Sequence, residues 1–382
     1  RGGQFFTVRR VQLFGLISLF YKPETDIAEA FYVGKQVNIY LSLILLAFLF
    51  LVFRFFLSLH KALNLTLIIA FSSFIFKSAY FMSEILYYFL SFIGFLLLCM
   101  MFVKSSKILS IFTGFILGVA HLTKASILPG LMIFIVIYTL KEAFRWLSNR
   151  IDLSRISRKE IIIKRMVSLL LLVVAFIVTI APYAIESKKE YGQYLYNDNY
   201  IIMWYESWGD ALEAREIYDG WQNIPPEEAP GPLKYIQKHT VAHIFQRIQY
   251  GLERQIENIR YQFNFFNYPF FFALLVLLVF VLSIKKNLDL IGRNAFLIGF
   301  VVLYHLGYFM SFVWYSPIAC LWRFIYGLHL PFMFTTSFFV YAMKKHSQSK
   351  ILTTVDMMVS MMLVLDIYYV LTEALFLQKY GS

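Results

Sequence analysis

Ten apolar runs, most of them close to the length that crosses a bilayer, leave this chain one kind of fold. They lie at about 39–58, 66–82, 84–103, 108–121, 126–142, 166–186, 268–284, 294–314, 318–343 and 352–376. A crossing helix needs about 20 apolar residues, and only helices or closed barrels satisfy their backbone polar groups in lipid. With 382 residues, 59% hydrophobic and 15% charged, the chain reads as an all-α polytopic membrane protein. Its 41 Phe and 26 Tyr suit lipid-facing and interfacial positions. The net charge of +12 gathers in short loops between apolar runs, so topology accounts for it and no nucleic-acid partner is expected. Cys99 and Cys320 both fall in apolar runs, which argues against a disulfide frame or a cysteine metal site.

Orientation follows from the basic residues. The stretch Gly114–Gly130 (GFILGVAHLTKASILPG) joins two apolar runs through the polar knot His121-Leu122-Thr123-Lys124. Lys104 and Lys107 precede this hairpin, and Lys141, Arg145 and Arg150 follow it. Basic residues near span ends mark the cytoplasmic side, so the knot is expected on the opposite face. Alternation then puts the segment 141–165, with eight Lys/Arg against three Asp/Glu, on the cytoplasmic face. Lys285, Lys286 and Arg293, and then Lys344, Lys345 and Lys350, fall on that face too. Segment 152–165 reads as a basic amphipathic helix on the cytoplasmic membrane surface.

Four regions result. Residues 1–38 hold a partial first span (Val11–Tyr21, after Arg9 and Arg10) and a short outer acidic loop. Residues 39–186 form an N-terminal bundle, and residues 268–382 a C-terminal one. Between them, 187–267 is the one large non-cytoplasmic loop, with eleven acids against eight bases. Its three tryptophans (Trp204, Trp208, Trp221) fit a small folded core or a surface that stacks on sugar faces. Helical periodicity is expected from Gly231 to Phe263.

Sorting polar residues by face gathers chemistry at the outer leaflet. Asp26, Glu29, Lys77, Glu84, His121 and Lys124 fall there, with Tyr183, Glu186, Lys188, Lys189, Trp314, Tyr315, Trp322 and Arg323. Charged residues in a membrane bundle are expensive and mark function unless something satisfies them. A lipid-linked phosphosugar matches this set. Lys124 and Arg323 suit its phosphate by charge-assisted hydrogen bonds, aromatics suit the sugar, and a carboxylate suits an acceptor hydroxyl as general base. Blander readings stand beside these: Lys77 and Glu84, seven apart, neutralising each other, and Lys124 snorkelling to the interface. His305 and His329 are expected as a structural pair rather than a metal site.

Three stretches resemble the GT-C superfamily of integral membrane glycosyltransferases, in the branch of the dolichyl-phosphate-mannose protein mannosyltransferases and the lipid A aminoarabinose transferases. Ser78–Leu90 (SAYFMSEILYYFL) is similar to the opening of a GT-C span, with Glu84 at its acid. Gly114–Gly130 is similar to the "G.llGla.LtR…lP" hairpin, with Lys124 where the family usually has arginine. Tyr315–Phe334 (YSPIACLWRFIYGLHLPFMF) is similar to the late "Rf…p.lpl" helix, with Arg323 at the family arginine. The resemblance covers about residues 36–345. It implies a GT-C-like bundle of about ten helices that transfers a sugar from a polyprenyl-phosphate donor to an acceptor on the non-cytoplasmic face.

By that resemblance Asp26, with Glu29 second, is the catalytic acid. Lys124, Arg323, Glu84, His121, Lys77, Tyr315 and Trp322 bind substrate. The family's long acidic loop after the first span has only PETDIAEAFY as its counterpart here. No cofactor or resident metal is expected, and divalent-ion assistance is left open. Membrane lipids, the lipid-linked donor, an acceptor and further membrane subunits are the expected partners. A multi-pass location in a bacterial inner membrane or an ER-type membrane follows. The rival readings are a non-catalytic bundle subunit and a transporter or flippase for a lipid-linked anion.

Overall fold

The computed structural model describes residues 26–78, 84–147, 155–262, 288–319, 325–347, 350–369 and 371–372. Among these the chain is helical and contains no strand. Five helices are long and apolar enough to cross a membrane: Phe31–Phe56, Glu84–Val103, Ala125–Leu147, Glu160–Tyr191 and Ala295–Ile318. Three shorter apolar helices, Leu59–Phe74, Lys107–Thr123 and Ser360–Tyr369, stand with them. The run expected at 268–284, the partial first span, and the residues Trp322 and Arg323 lie outside the described residues.

Helix α1 (Ile27–Phe56) begins twelve residues before the run expected at 39–58. The segment read as an acidic loop is therefore its first turns, with Glu29 in the first of them. Helices α2 (Leu59–Ile69) and α3 (Ile75–Ser78) are one rod interrupted by a π turn at Ala70–Phe74. Such single π turns are frequent at functional sites, and this one carries buried Ser72 and Ser73. Helix α4 (Glu84–Val103) is the most enclosed span. Phe53, Phe92 and Phe334 meet at ring separations of 5.4–5.9 Å and join α1 and α4 to the later bundle.

Helices α5 (Lys107–Thr123) and α6 (Leu128–Leu147) form the hairpin read from sequence. Ser106 caps α5 by accepting from the Leu109 amide at 3.2 Å, an N-cap that satisfies an otherwise orphan donor. Helix α7 (Arg155–Tyr191) corrects the expectation of a separate surface helix at 152–165. From Arg155 that segment runs without a break into the apolar run at 166–186. Gly114 and Gly118 let α5 and α7 touch. A Cβ on Gly114 would stand 2.2 Å from the Leu172 carbonyl oxygen, and one on Gly118 would stand 2.6 Å from Thr179 Cβ. This is the small-xxx-small spacing that permits close helix approach in membranes.

The region 187–267 is a compact helical subdomain as far as it is described: α8 (Asp198–Ile202), α9 (Trp208–Ile217), α10 (Pro232–Lys238) and α11 (Val241–Gln262). Ser207 and Asp210 form a capping box on α9, in which two backbone donors are satisfied reciprocally. Ile202 and Ala211 form an apolar cluster with Ile318 of the helix Ala295–Ala319, and Tyr205, Trp221 and Tyr315 pack against them. The reading of these aromatics as a core is met for Trp221, whose indole donates to the Ala211 carbonyl at 2.7 Å. Helices α12 (Ala295–Ala319), α13 (Ile325–Ser347) and α14 (Lys350–Tyr369) complete the described fold.

Candidate functional site

The polar knot between α5 and α6 forms because the α-helical bonding pattern ends there. Lys124 takes an extended conformation (φ −158°, ψ 124°) and a single 3-10 turn, Ala125–Ile127, follows. The first amides of α6 then lack intrahelical acceptors. Tyr308 of α12 supplies one: its hydroxyl accepts from the Gly130 amide at 3.3 Å and donates to the Ser126 carbonyl at 2.6 Å. Gly130 is required for this approach, since a Cβ would lie 2.5 Å from the Tyr304 ring and 3.0 Å from the Tyr308 hydroxyl.

A small cavity opens beside this knot, lined by Tyr87, Tyr88, Lys124, Ser126, Tyr304, Tyr308, Phe312, Gly327 and Leu328. Its free volume is about 10 Å³, room for roughly one water molecule. The Lys124 ammonium lies 5.5 Å from the Tyr87 ring centroid. Tyr87 meets Tyr88 at 6.1 Å, and Tyr88 meets Tyr326 at 6.5 Å. Beyond them the Lys77 ammonium sits 5.8 Å from the Tyr326 ring. Lys77 also pairs with Glu84 at 3.6 Å, both side chains under 10% exposed. The chain of contacts thus runs from Lys124 through three tyrosines to Lys77 and Glu84, across helices distant in sequence.

Neutralisation of Lys77 by Glu84 is therefore present as an ion pair and not as a hydrogen bond: Glu84 Oε2, the oxygen 3.6 Å from Lys77, is buried and has no hydrogen-bond partner. Asn38 of α1 closes this side, its amide donating to the carbonyls of Lys77 at 3.4 Å and Ser78 at 3.3 Å. One turn in from Tyr326, His329 is hydrogen-bonded at 2.8 Å to Ser72 on the π turn. His305 instead bonds the Val301 carbonyl of its own helix at 2.7 Å. The expected His305–His329 pair is thus replaced by a different hydrogen bond for each.

Other expected site residues stand elsewhere. Asp26 and Glu29 are exposed at the start of α1. Asp26 lies twelve residues, about 18 Å of helix, from the Asn38 that touches the Lys77 carbonyl. His121 is buried in α5 against Phe176, ring centroids 5.7 Å apart, with its Nδ1 unpartnered. Tyr315 stands on α12 and faces the 187–262 subdomain, its hydroxyl donating to Asn199 at 3.1 Å. Trp322 and Arg323 fall outside the described residues. Among the described residues no three His, Cys, Asp or Glu come together as metal ligands.

Sequence reasoning missed the tyrosines. Tyr87, Tyr88, Tyr304, Tyr308 and Tyr326 sit inside apolar runs where they read as ordinary span residues. The usable signal was spacing: Tyr304 and Tyr308 lie four apart, on one helix face. It also missed Arg247 in the 187–262 subdomain. That guanidinium donates to the carbonyls of Tyr205, Met203 and Trp314 at 2.8, 3.1 and 3.3 Å and lies 3.6 Å from Glu206. The rings of Trp314 and Tyr235 flank it at 4.6 and 5.1 Å. Burial, and then the hydrogen bond with Glu206, push the Tyr235 phenol above its ordinary value.

Comparison with protein-family models, with curated proteins and with solved structures finds no match to this chain.

Proposed function

We propose that the chain is a membrane glycosyltransferase that transfers a sugar from a polyprenyl-phosphate donor to an acceptor on the non-cytoplasmic face. The observation that supports it is the arrangement of Lys124 and Lys77 around the Tyr87, Tyr88 and Tyr326 rings in an apolar bundle. Ammonium groups there suit a lipid phosphate, and aromatic faces suit a sugar. Stabilising the departing phosphate is the step such cations accelerate. The bundle in this reading is GT-C-like, of about ten helices, with Arg323 as a further phosphate contact.

In the reaction an acceptor hydroxyl attacks the anomeric carbon and passes its proton to a carboxylate. The bond from that carbon to the phosphate oxygen breaks, and the electron pair leaves with the lipid phosphate. Asp26 is the carboxylate the family resemblance puts forward, while Glu84 is the one beside the lysines. Donor binding requires the tyrosine wall to part, because a cavity of about 10 Å³ holds no sugar. That closure also favours a second reading, a non-catalytic subunit that keeps the bundle as scaffold.

Transfer of labelled sugar from a panel of polyprenyl-phosphate sugars by the purified chain tests the reading. Lys124→Ala is expected to lower transfer at least 100-fold. Asp26→Asn and Glu84→Gln, run side by side, identify the base as the variant that loses turnover while retaining donor binding. Donor binding without turnover in the parent chain supports the scaffold reading. Neither binding nor turnover with any donor refutes the transferase.

A further inference from the structure

The 187–262 subdomain meets the bundle through a helix that runs the wrong way for a membrane span. Three residues of α11, spaced four apart, touch α12. Arg247 bonds the Trp314 carbonyl, Gly251 lies against the Val313 carbonyl, and Gln255 bonds the Phe312 carbonyl at 3.5 Å and Ser316 at 2.7 Å. Over those eight residues α11 advances about 12 Å, while its partners on α12 stay within one turn. Helix α11 therefore lies across α12 instead of along it. The contact is close, since a Cβ on Gly251 would stand 2.1 Å from the Val313 oxygen. The crossing falls near the end of a membrane-length helix, Ala295–Ile318, so α11 runs roughly parallel to the bilayer plane.

Its surface is divided to match. Val241, Phe245 and Ile256 are 69%, 67% and 61% exposed. With Leu252 they fall within an arc of about 60° at 100° per residue. Arg247, which ties α11 to Met203 and Tyr205 of the 187–262 subdomain, points about 150° away from the centre of that arc. The apolar stripe thus faces away from the subdomain. Gln246, Glu253 and Glu257, all exposed, occupy the far flank. On α12, below the crossing, Val302, Leu303, Leu306 and Met310 are likewise exposed, so the stripe continues an apolar surface that a span presents to lipid.

We propose that α11 is an interfacial helix, with Val241, Phe245, Leu252 and Ile256 sunk into the headgroup–acyl boundary and Arg247 holding the 187–262 subdomain above it. A helix with an apolar face and a charged opposite face lies in that plane. Gln255 bonds the carbonyl of Phe312, a wall of the Lys124 cavity, so the bilayer surface, α11 and the cavity are joined through one residue pair. The inference concerns the membrane disposition of the chain and is independent of sugar transfer.

Nitroxide labels attached through Phe245→Cys, Ile256→Cys and Glu253→Cys, in a chain lacking Cys99 and Cys320 and held in phosphatidylcholine–phosphatidylglycerol nanodiscs, test it. The ratio of collision with oxygen to collision with a water-soluble nickel chelate is expected several-fold higher at 245 and 256 than at 253. Equal ratios, or labels at 245 and 256 shielded from both reagents by protein, overturn it. A photoactivatable phospholipid with a diazirine near the acyl ester provides a readout on the unmodified chain. Adducts within residues 241–258 are expected, and labelling confined to the membrane-length helices overturns the proposal.

Discussion

The bundle buries lysines at two places about 25 Å apart along the α5–α6 hairpin, and it treats them differently. At one, Lys141 of α6 donates to the Phe102 carbonyl and lies 5.1 Å from the Phe102 ring. Beside it Glu142, 2% exposed, accepts from Arg145 at 3.0 Å and Arg165 at 2.8 Å. These groups staple α4, α6 and α7 together and border no described cavity. At the other, Lys124 faces a tyrosine-walled cavity, and Lys77 holds Glu84 at 3.6 Å, too long for a hydrogen bond. Burial of a cation does not by itself mark a site. Each place leaves one buried carboxylate oxygen, Glu84 Oε2 or Glu142 Oε2, without a hydrogen bond; what separates the two is the open volume beside the charge and the longer ion pair there.

The largest effect expected from this contrast is at the stapled end. Glu142→Ala leaves two arginines without their shared carboxylate and should cost about 3 kcal/mol, read as a large fall in the unfolding midpoint in detergent. Lipid-donor binding by the protein that remains folded should be unchanged. Next, Lys77→Met alone strands buried Glu84 and should cost about 2–3 kcal/mol, whereas Lys77→Met with Glu84→Leu should recover most of that loss. A double variant as unstable as the single one would mean that the pair does more than neutralise itself. Smallest in stability, Lys124→Ala should move the midpoint by less than about 1 kcal/mol while abolishing donor binding. A large loss of stability there would make Lys124 a second staple and erase the distinction.

Apolar periodicity made most of the bundle legible. The runs at 84–103, 108–121, 126–142 and 294–314 each fall on a helix with ends shifted by a few residues. Helix starts were harder to read. The polar residues of PETDIAEAFY look like a loop, yet from Ile27 they suit a helix, because Glu and Ala are good helix formers. The same reasoning misplaced segment 155–165, whose charges fit a surface helix and fit equally well the extended end of a long span. At the site, charge drew attention to Lys124, Lys77 and Glu84, and the last two do meet. The tyrosines escaped because an aromatic in an apolar run carries no local sign of what it faces. That information exists only once α4, α12 and α13 are brought together.

The glycine seam has a consequence for how the chain is made. Gly114 and Gly118 on α5 press against Leu172 and Thr179 on α7, with the whole of α6 lying between them in sequence. During synthesis α5 and α6 are complete before the surface that fits those glycines exists. Until about residue 179 has emerged, the notched face of α5 lacks the surface that fits it. The hairpin carrying Lys124 is thus assembled early and fixed late, and a nascent chain halted before α7 should leave that face of α5 uncovered by the chain itself.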